Sequence, residues 1–315
     1  MDPLRIVFMG TPDFAVGILD SLLENHYTVV GVITVADKPA GRGQKVKFSA
    51  VKDYALAHSL PLLQPTNLKD EIFLAELAAL QANLQVVVAF RMLPKVVWEM
   101  PQYGTFNLHA SLLPNYRGAA PINWAIINGE TETGVTSFFI DDKIDTGAML
   151  LHAKTPIDPQ ESAGTLHDRL MQLGAQTVIE TLQLIQQGNP VTQLQADQPD
   201  LKTAYKLNKE NCKIDWNQPA KSIHDLIRGL SPYPAAWCNL INNEQESAIK
   251  VYEATYELVT HQNPIGQLEV HKKELKVAVA DGYVHIMQIQ LPGKNKMKVA
   301  DLLNGFTFAE KSSLH

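Results

Sequence analysis

The run Gly104-Thr105-Phe106-Asn107-Leu108-His109-Ala110-Ser111-Leu112-Leu113-Pro114-Asn115-Tyr116-Arg117-Gly118 holds the side chains best suited to chemistry. Strand alternation puts Asn107 and His109 on one side, at the end of a strand where an open α/β sheet exposes its site. An amide and an imidazole side by side can both donate to an oxygen that gains negative charge, which suits a carbonyl becoming an oxyanion. A satisfied core pair is the alternative, but the strand end and the Pro/Gly-rich loop after it favour a site. A second polar cluster, Ile140-Asp141-Asp142-Lys143-Ile144-Asp145-Thr146-Gly147, follows the next strand. Its carboxylates can approach His109, hold the ring or raise its basicity. Three acids with a glycine also suggest a cation loop, though the EF-hand spacing is absent, or a solvated loop. Gly10-Thr11-Pro12-Asp13 stands where a nucleotide fold places its phosphate loop but lacks the later glycines of a dinucleotide fingerprint; it reads as a tight turn capped near Asp13.

These residues need a sheet to carry them. Apolar runs at 4–9, 28–35 and 84–90 alternate with helical spacing at 13–24, 49–58 and 70–81. The repetition predicts an α/β fold, a Rossmann-like, mainly parallel sheet with helices on both faces. It continues with a strand at 104–109, a helix at 119–128, a strand at 134–140 and a long amphipathic helix from Ser162 to Gln187, stopped by Gly188-Asn189-Pro190. Beyond a short helix near 220–228, strands at 235–241, 248–256, 266–270, 275–280 and 283–290 lack intervening helices and predict a small C-terminal β-barrel (OB-like). The expected organisation is a catalytic domain over 1–190, a polar linker over 191–208 and the barrel over 209–315.

The chain has 315 residues, 45% of them apolar and 19% charged, which excludes a disordered, collagenous or disulfide-scaffold protein. A net charge of −6 argues against coating nucleic acid with a broad basic face. The deficit is local: up to residue 208 there are 15 basic against 21 acidic residues, and beyond it 12 against 12. Against that trend, residues 38–52 hold Lys38, Arg42, Lys45, Lys47 and Lys52 and no acid. Cys212 and Cys238 form no CxxC pair and read as two buried thiols in a reducing compartment. No apolar run reaches the roughly 18 residues of a membrane span, and the apolar part of the N-terminus is too short for a signal peptide, so a cytoplasmic protein is expected.

The run 109–118, preceded by Asn107 and followed by Asp145-Thr146-Gly147, resembles the formyltransferase family that uses 10-formyltetrahydrofolate. Val7-Phe8-Met9-Gly10-Thr11-Pro12-Asp13-Phe14-Ala15, Lys38-Pro39-Ala40-Gly41-Arg42-Gly43, Arg117-Gly118-Ala119-Ala120-Pro121-Ile122, Ile214-Asp215-Trp216 and Ile227-Arg228-Gly229-Leu230-Ser231-Pro232-Tyr233-Pro234 extend the likeness over nearly the whole chain. They narrow it to members that formylate methionine esterified to initiator tRNA. The resemblance implies that Asn107 and His109 polarise the formyl group and stabilise the tetrahedral intermediate, while Asp145 positions and charges the histidine. It implies folate contacts from Ser111, Leu112, Leu113 and Pro114, and a pterin flanked by Phe90, Arg91, Leu93 and Asp142. Many relatives carry a small residue at the position of Arg91.

The implied partners are initiator methionyl-tRNA and the folate cosubstrate, with no metal, no membrane and a monomeric protein. Lys38, Arg42, Lys45 and Lys47 are expected to meet phosphates at the tRNA acceptor end. Lys272, Lys273, Lys276, Lys294, Lys296 and Lys298 either line the other side of that arm or guard an exposed edge strand. Two other readings stand beside this one. A small amine acceptor, glycinamide ribonucleotide or an amino-sugar nucleotide, would keep the folate site, but the basic loop and the second domain disfavour it. A non-catalytic RNA-binding protein would show a disrupted Asn-His-Asp set, and here all three residues are present.

Overall fold

The computed structural model describes residues 2–40, 45–188, 190–196 and 199–315. They form two compact units of discontinuous chain. One takes in the chain up to Gly118, Thr133–Thr155 and His167–Thr203; the other takes in Ala119–Glu132, Pro156–Leu166 and Ala204–His315.

The first unit begins β1 (Arg5–Gly10), α1 (Asp13–Glu24), β2 (Thr28–Ile33), then a short ribbon of β3 (Lys38–Ala40) and β4 (Lys45–Lys47). It continues through α2 (Ala50–Ala57), β5 (Leu62–Leu63), α3 (Glu71–Ala79), β6 (Leu84–Val88), α4 (Lys95–Trp98) and β7 (Thr105–His109). After β8 (Arg117–Gly118) and α5 (Pro121–Ile127) come β9 (Glu132–Phe139), β10 (Met149–Pro156) and the long α6 (Ala163–Gln187). The sheet order is β5-β2-β1-β6-β7-β9-β10. The first five strands are parallel and β9 runs antiparallel to β7, giving the mainly parallel sheet the alternation predicts.

Strands β1 and β6 bury nearly every side chain, because helices cover both faces of a parallel sheet. The chain leaves β1 toward β2 on one side and returns through β6 on the other, so a crevice opens at their carboxyl ends. Gly10 ends β1 there: a Cβ would stand 2.6 Å from that of Ala15 and 3.1 Å from the Val88 carbonyl oxygen, so only glycine lets the turn close. Ser49 caps α2 and Asp70 caps α3 by accepting backbone N–H bonds at 3.1 Å. At α1 the cap differs from expectation. Pro12 occupies it without a side-chain bond, and Asp13 is already the first helical residue, placed to favour the positive end of the helix dipole.

The second unit contains α5, β11 at its start (Thr203–Ala204), α7 (Ala220–Leu230), β12 (Ala236–Asn242), β13 (Gln245–Leu258) and β14 (Leu268–His271). β15 (Glu274–Val279), β16 (Gly282–Gln290), β17 (Met297–Lys298), α8 (Val299–Leu302) and β18 (Ser313–Leu314) complete it. Its antiparallel order is β14-β15-β16-β13-β12-β18. Bridging of Gln267 to Ser313, with Leu314 N–H donating to the Gly266 carbonyl at 2.8 Å, brings the two ends of the sheet together into a barrel. β13 pairs with β12 through its first half and with β16 through its second, and a bulge at Val251–Ala254 lies where the two pairings meet. Inward residues such as Cys238, Leu240, Val251, Val277, Val284 and Ile289 fill it, and α7 adds Ile223, Ile227 and Leu230.

Within α7, Asp225 accepts from Lys221 Nζ at 2.6 Å and from Arg228 Nε at 2.8 Å. Arg228 Nη1 reaches on to the carbonyls of Asp158 and Glu161, at 3.3 and 3.0 Å. Burial opposes the Asp225 charge, but the hydrogen bonds from His224, Lys221 and Arg228 outweigh it and bring its pKa to about 2. Both cysteines are free and buried; burial pushes the Cys238 thiol up to about 12. Among the described residues no helix is long and apolar enough to cross a membrane.

Candidate active site

β7 places Asn107 and His109 at the carboxyl edge of the sheet, where Asn107 registers with Val87 on one side and Phe138 on the other, and His109 with Thr136. His109 is buried and Asn107 half-buried. His109 Nε2 lies 2.8 Å from the carbonyl oxygen of Tyr116. A carbonyl only accepts, so Nε2 carries the hydrogen and donates it. Nδ1 faces Asp145 Oδ2 at 3.9 Å, too long for a hydrogen bond but within ion-pair range. In the neutral ring Nδ1 therefore carries the lone pair, and a carboxylate stands beside it.

Asp145 sits at φ 55° and its Oδ2 also accepts the Gly118 N–H at 3.0 Å. The loop before it is closed by Asp141, whose Oδ1 accepts from the Lys143 N–H at 3.0 Å and the Thr146 hydroxyl at 2.7 Å. Gly147 then passes against the end of β9: a Cβ there would come within 1.6 Å of the Phe139 carbonyl oxygen. Arg117, Asp141, Asp142, Lys143, Thr146 and Gln195 line an open cleft of ≈ 400 Å³.

The Ser111–Pro114 loop is braced from within. The Ser111 hydroxyl, fully buried, donates to the Asn115 carbonyl at 2.8 Å, while Thr136 Oγ1 donates to the Ser111 carbonyl and accepts from the Leu113 N–H. Leu113 packs with Phe138 and Met149, the Leu113–Pro114 bond is cis, and Leu112 and Pro114 remain half-buried. After β6, Leu93 and Phe90 pack against the core around Val7, Met9 and Val87. Arg91 turns its guanidinium onto the carbonyls of Thr66, at 3.0 Å, and Pro65, and burial lowers its pKa. Asp142 is exposed on the cleft rim.

Of the expected phosphate-binding residues, Arg42 lies outside the described residues. The backbones of Lys38, Lys45 and Lys47 belong to the β3–β4 ribbon, with Lys38 opposite Lys47. Lys52, from the same basic stretch, is committed elsewhere: buried at the base of the ribbon, its ammonium pairs with Asp37. Hydrogen bonds to Asp37 from Lys52 and from Gln64, the latter at 2.9 Å, hold that carboxyl below its usual range. On the barrel, Lys276 is bonded to Glu257 at 2.8 Å, whereas Lys272, Lys273, Lys294, Lys296 and Lys298 are exposed.

Gln195 is a site residue that sequence reasoning misses. The stretch expected as a linker is bonded to the first unit: Gln193 exchanges backbone bonds with Met149 at 2.8 and 2.9 Å, and Lys202 holds Asn115 and Tyr116. Between them, Gln195 Oε1 accepts from Arg117 Nε and Nη2 at 3.0 and 2.8 Å, and its amide nitrogen donates to the carbonyls of Asp145 and Gly147, each at 2.9 Å. Nothing in a polar, Pro-containing segment signals such a role.

Comparison with known proteins places the chain in a family. The formyl transferase family matches residues 4–182, and the formyl transferase C-terminal domain matches residues 206–307. The methionyl-tRNA formyltransferase of Flavobacterium johnsoniae is 66% identical over 315 residues, covering all of both chains. That of Flavobacterium psychrophilum is 62% identical over 311 residues, 98% of each chain. Among solved structures, HypX of Aquifex aeolicus, in complex with tetrahydrofolic acid, shares the fold with a TM-score of 0.65 at 18% identity, over 96% of this chain and 47% of that one. Matched end to end at this level of identity, the chain belongs to the formyl transferase family, among its methionyl-tRNA formyltransferases.

Proposed function

We propose that the protein transfers the formyl group of 10-formyltetrahydrofolate to the α-amino nitrogen of methionine on initiator methionyl-tRNA, giving N-formylmethionyl-tRNA for translation initiation. The observation that carries this reading at the chemical level is the setting of His109, fixed through Nε2 by a backbone carbonyl and facing the Asp145 carboxylate through Nδ1. The neutral amine attacks the formyl carbon, the bond from that carbon to N10 breaks, the amine loses a proton and N10 gains one. Asn107 donates to the formyl oxygen as it gains charge. Nδ1 of His109, backed by Asp145, donates to the same centre or relays the amine proton. Orientation and charge stabilisation suffice for this acyl transfer without a covalent enzyme intermediate or a metal.

The folate cosubstrate is assigned to the crevice between the loop after β6 (Phe90, Arg91, Leu93), the Ser111–Pro114 loop and Asp142. Because Arg91 is turned onto the carbonyls of residues 65 and 66, this reading gives its backbone, rather than its guanidinium, to the pterin. Lys38, Arg42, Lys45 and Lys47 are assigned to the tRNA acceptor phosphates. Catalysis is assigned to residues 1–190 and further tRNA binding to the barrel over 209–315. The enzyme is read as a monomer of the cytoplasm, in keeping with two buried, unlinked thiols.

The test is direct. Purified protein is incubated with labelled 10-formyltetrahydrofolate and, separately, initiator methionyl-tRNA, glycinamide ribonucleotide and an amino-sugar nucleotide, and the label is followed into each acceptor. Label in the methionyl-tRNA is the expected result; label in a small acceptor with none in the tRNA would overturn it.

A further inference from the structure

The two groups that hold His109 are themselves held by one stretch of chain. Tyr116, whose carbonyl takes the Nε2 hydrogen, donates its own N–H to the Lys202 carbonyl at 2.6 Å. Asp145, which faces Nδ1, has its backbone carbonyl bonded to Gln195. The Gln195 amide has no alternative orientation. The carbonyls of Asp145 and Gly147 can only accept and the Arg117 guanidinium can only donate, so nitrogen must face the first two and oxygen the third. One side chain thereby meets both sides of the cleft: the 141–147 loop that carries Asp145, and Arg117, next to the Gly118 N–H that binds the Asp145 carboxylate.

We infer that Gln195 is a positioning residue for the transfer reaction, setting the Asp145 carboxylate against His109 Nδ1; this rests on the formyl-transfer reading above. Asp145 is at a left-handed φ of 55°, a conformation that aspartate tolerates at some cost and that bonds to its main chain help to hold. The Gly118 bond fixes its carboxylate and the Gln195 bonds fix its main chain. With the second set gone, the loop relaxes, and a shift on the order of 1 Å in a catalytic geometry costs up to about 100-fold in rate.

Two variants separate the contributions. Gln195→Glu keeps an acceptor for Arg117 and removes both donors to the loop; Gln195→Met removes all four bonds at similar size. The expected result for both is a kcat lower by about 10- to 100-fold, KM for 10-formyltetrahydrofolate and for methionyl-tRNA within about 3-fold of wild type, and a displaced pH profile of kcat. A ¹⁵N NMR spectrum of the His109 ring at matched pH is expected to differ from wild type at Nδ1. A kcat within about 2-fold of wild type, an unmoved pH profile, or an unchanged Nδ1 signal would overturn the inference. So would the failure of both variants to fold by circular dichroism, which would make Gln195 a structural residue only. If wild-type protein transfers no formyl group to methionyl-tRNA, the functional reading fails instead, and the Nδ1 signal still decides whether Gln195 sets the His109–Asp145 geometry.

Discussion

At the residue scale, the site assigns different work to groups of the same type. Three aspartates share the 141–147 loop, but Asp141 is spent closing it, Asp142 is exposed on its rim, and Asp145 alone faces an imidazole. His109→Ala and Asp145→Asn are therefore expected to abolish turnover while tRNA affinity, measured by filter binding, stays within a few-fold; normal turnover in either would remove that residue from the mechanism. Asn107→Ala is expected to lower kcat by roughly 10²- to 10³-fold, the usual loss for one oxyanion donor. The spacing within residues 104–118 locates His109 and Asn107 because it follows strand alternation. It does not give the tautomer, which is decided by a carbonyl seven residues further on.

Elements impose the next level of constraint. The Asp145 loop works only because Gly147 can lie against the end of β9, so Gly147→Ala is expected to displace the loop. The measurable outcome is a steep fall in kcat with about 1–3 kcal/mol of lost stability in urea unfolding. The β3–β4 ribbon follows β2 and precedes α2 in the chain, and the basic residues of this stretch carry the proposed tRNA binding. Arg42→Ala is expected to lower kcat/KM for methionyl-tRNA and to flatten its dependence on salt, by about one unit of log–log slope for each phosphate no longer neutralised; an unchanged slope would withdraw the assignment. Lys52, in the same stretch, is already neutralised by Asp37, so its contribution to that slope is expected to be small.

For the whole molecule, stability and function separate. Asp225 holds Lys221 and Arg228 within the second unit, and Arg228 in turn binds carbonyls of the 156–166 segment. Removing it leaves a buried guanidinium unpaired, so Asp225→Ala is expected to cost about 3–5 kcal/mol. Its folded pKa, lowered from 3.8 to about 2, gives the sign of the pH effect: the stabilisation is complete above the unfolded value and fades as pH falls through about 2. Urea midpoints measured between pH 5 and 2 should fall less steeply in Asp225→Asn than in wild type; parallel curves would show that the ion cluster does not drive the acid limb.

The sequence by itself determined the alternation of strand and helix, the barrel strands and the placing of Asn107 and His109 on one side of a strand end, because each is written in residue types at short, regular spacing that backbone geometry converts directly into structure. It also showed that a net charge of −6 conceals a basic stretch at 38–52. Only the tertiary structure decided that Lys52, one of those charges, is already neutralised, which nitrogen of His109 faces Asp145, and that a polar stretch resembling a linker reaches the site. Gln195 meets Arg117 across 78 residues and Asp145 across 50. Hydrogen bonds made over such distances leave no periodic trace in the chain, since any polar side chain in a loop satisfies the local pattern and only the folded backbone presents the carbonyls that select an amide.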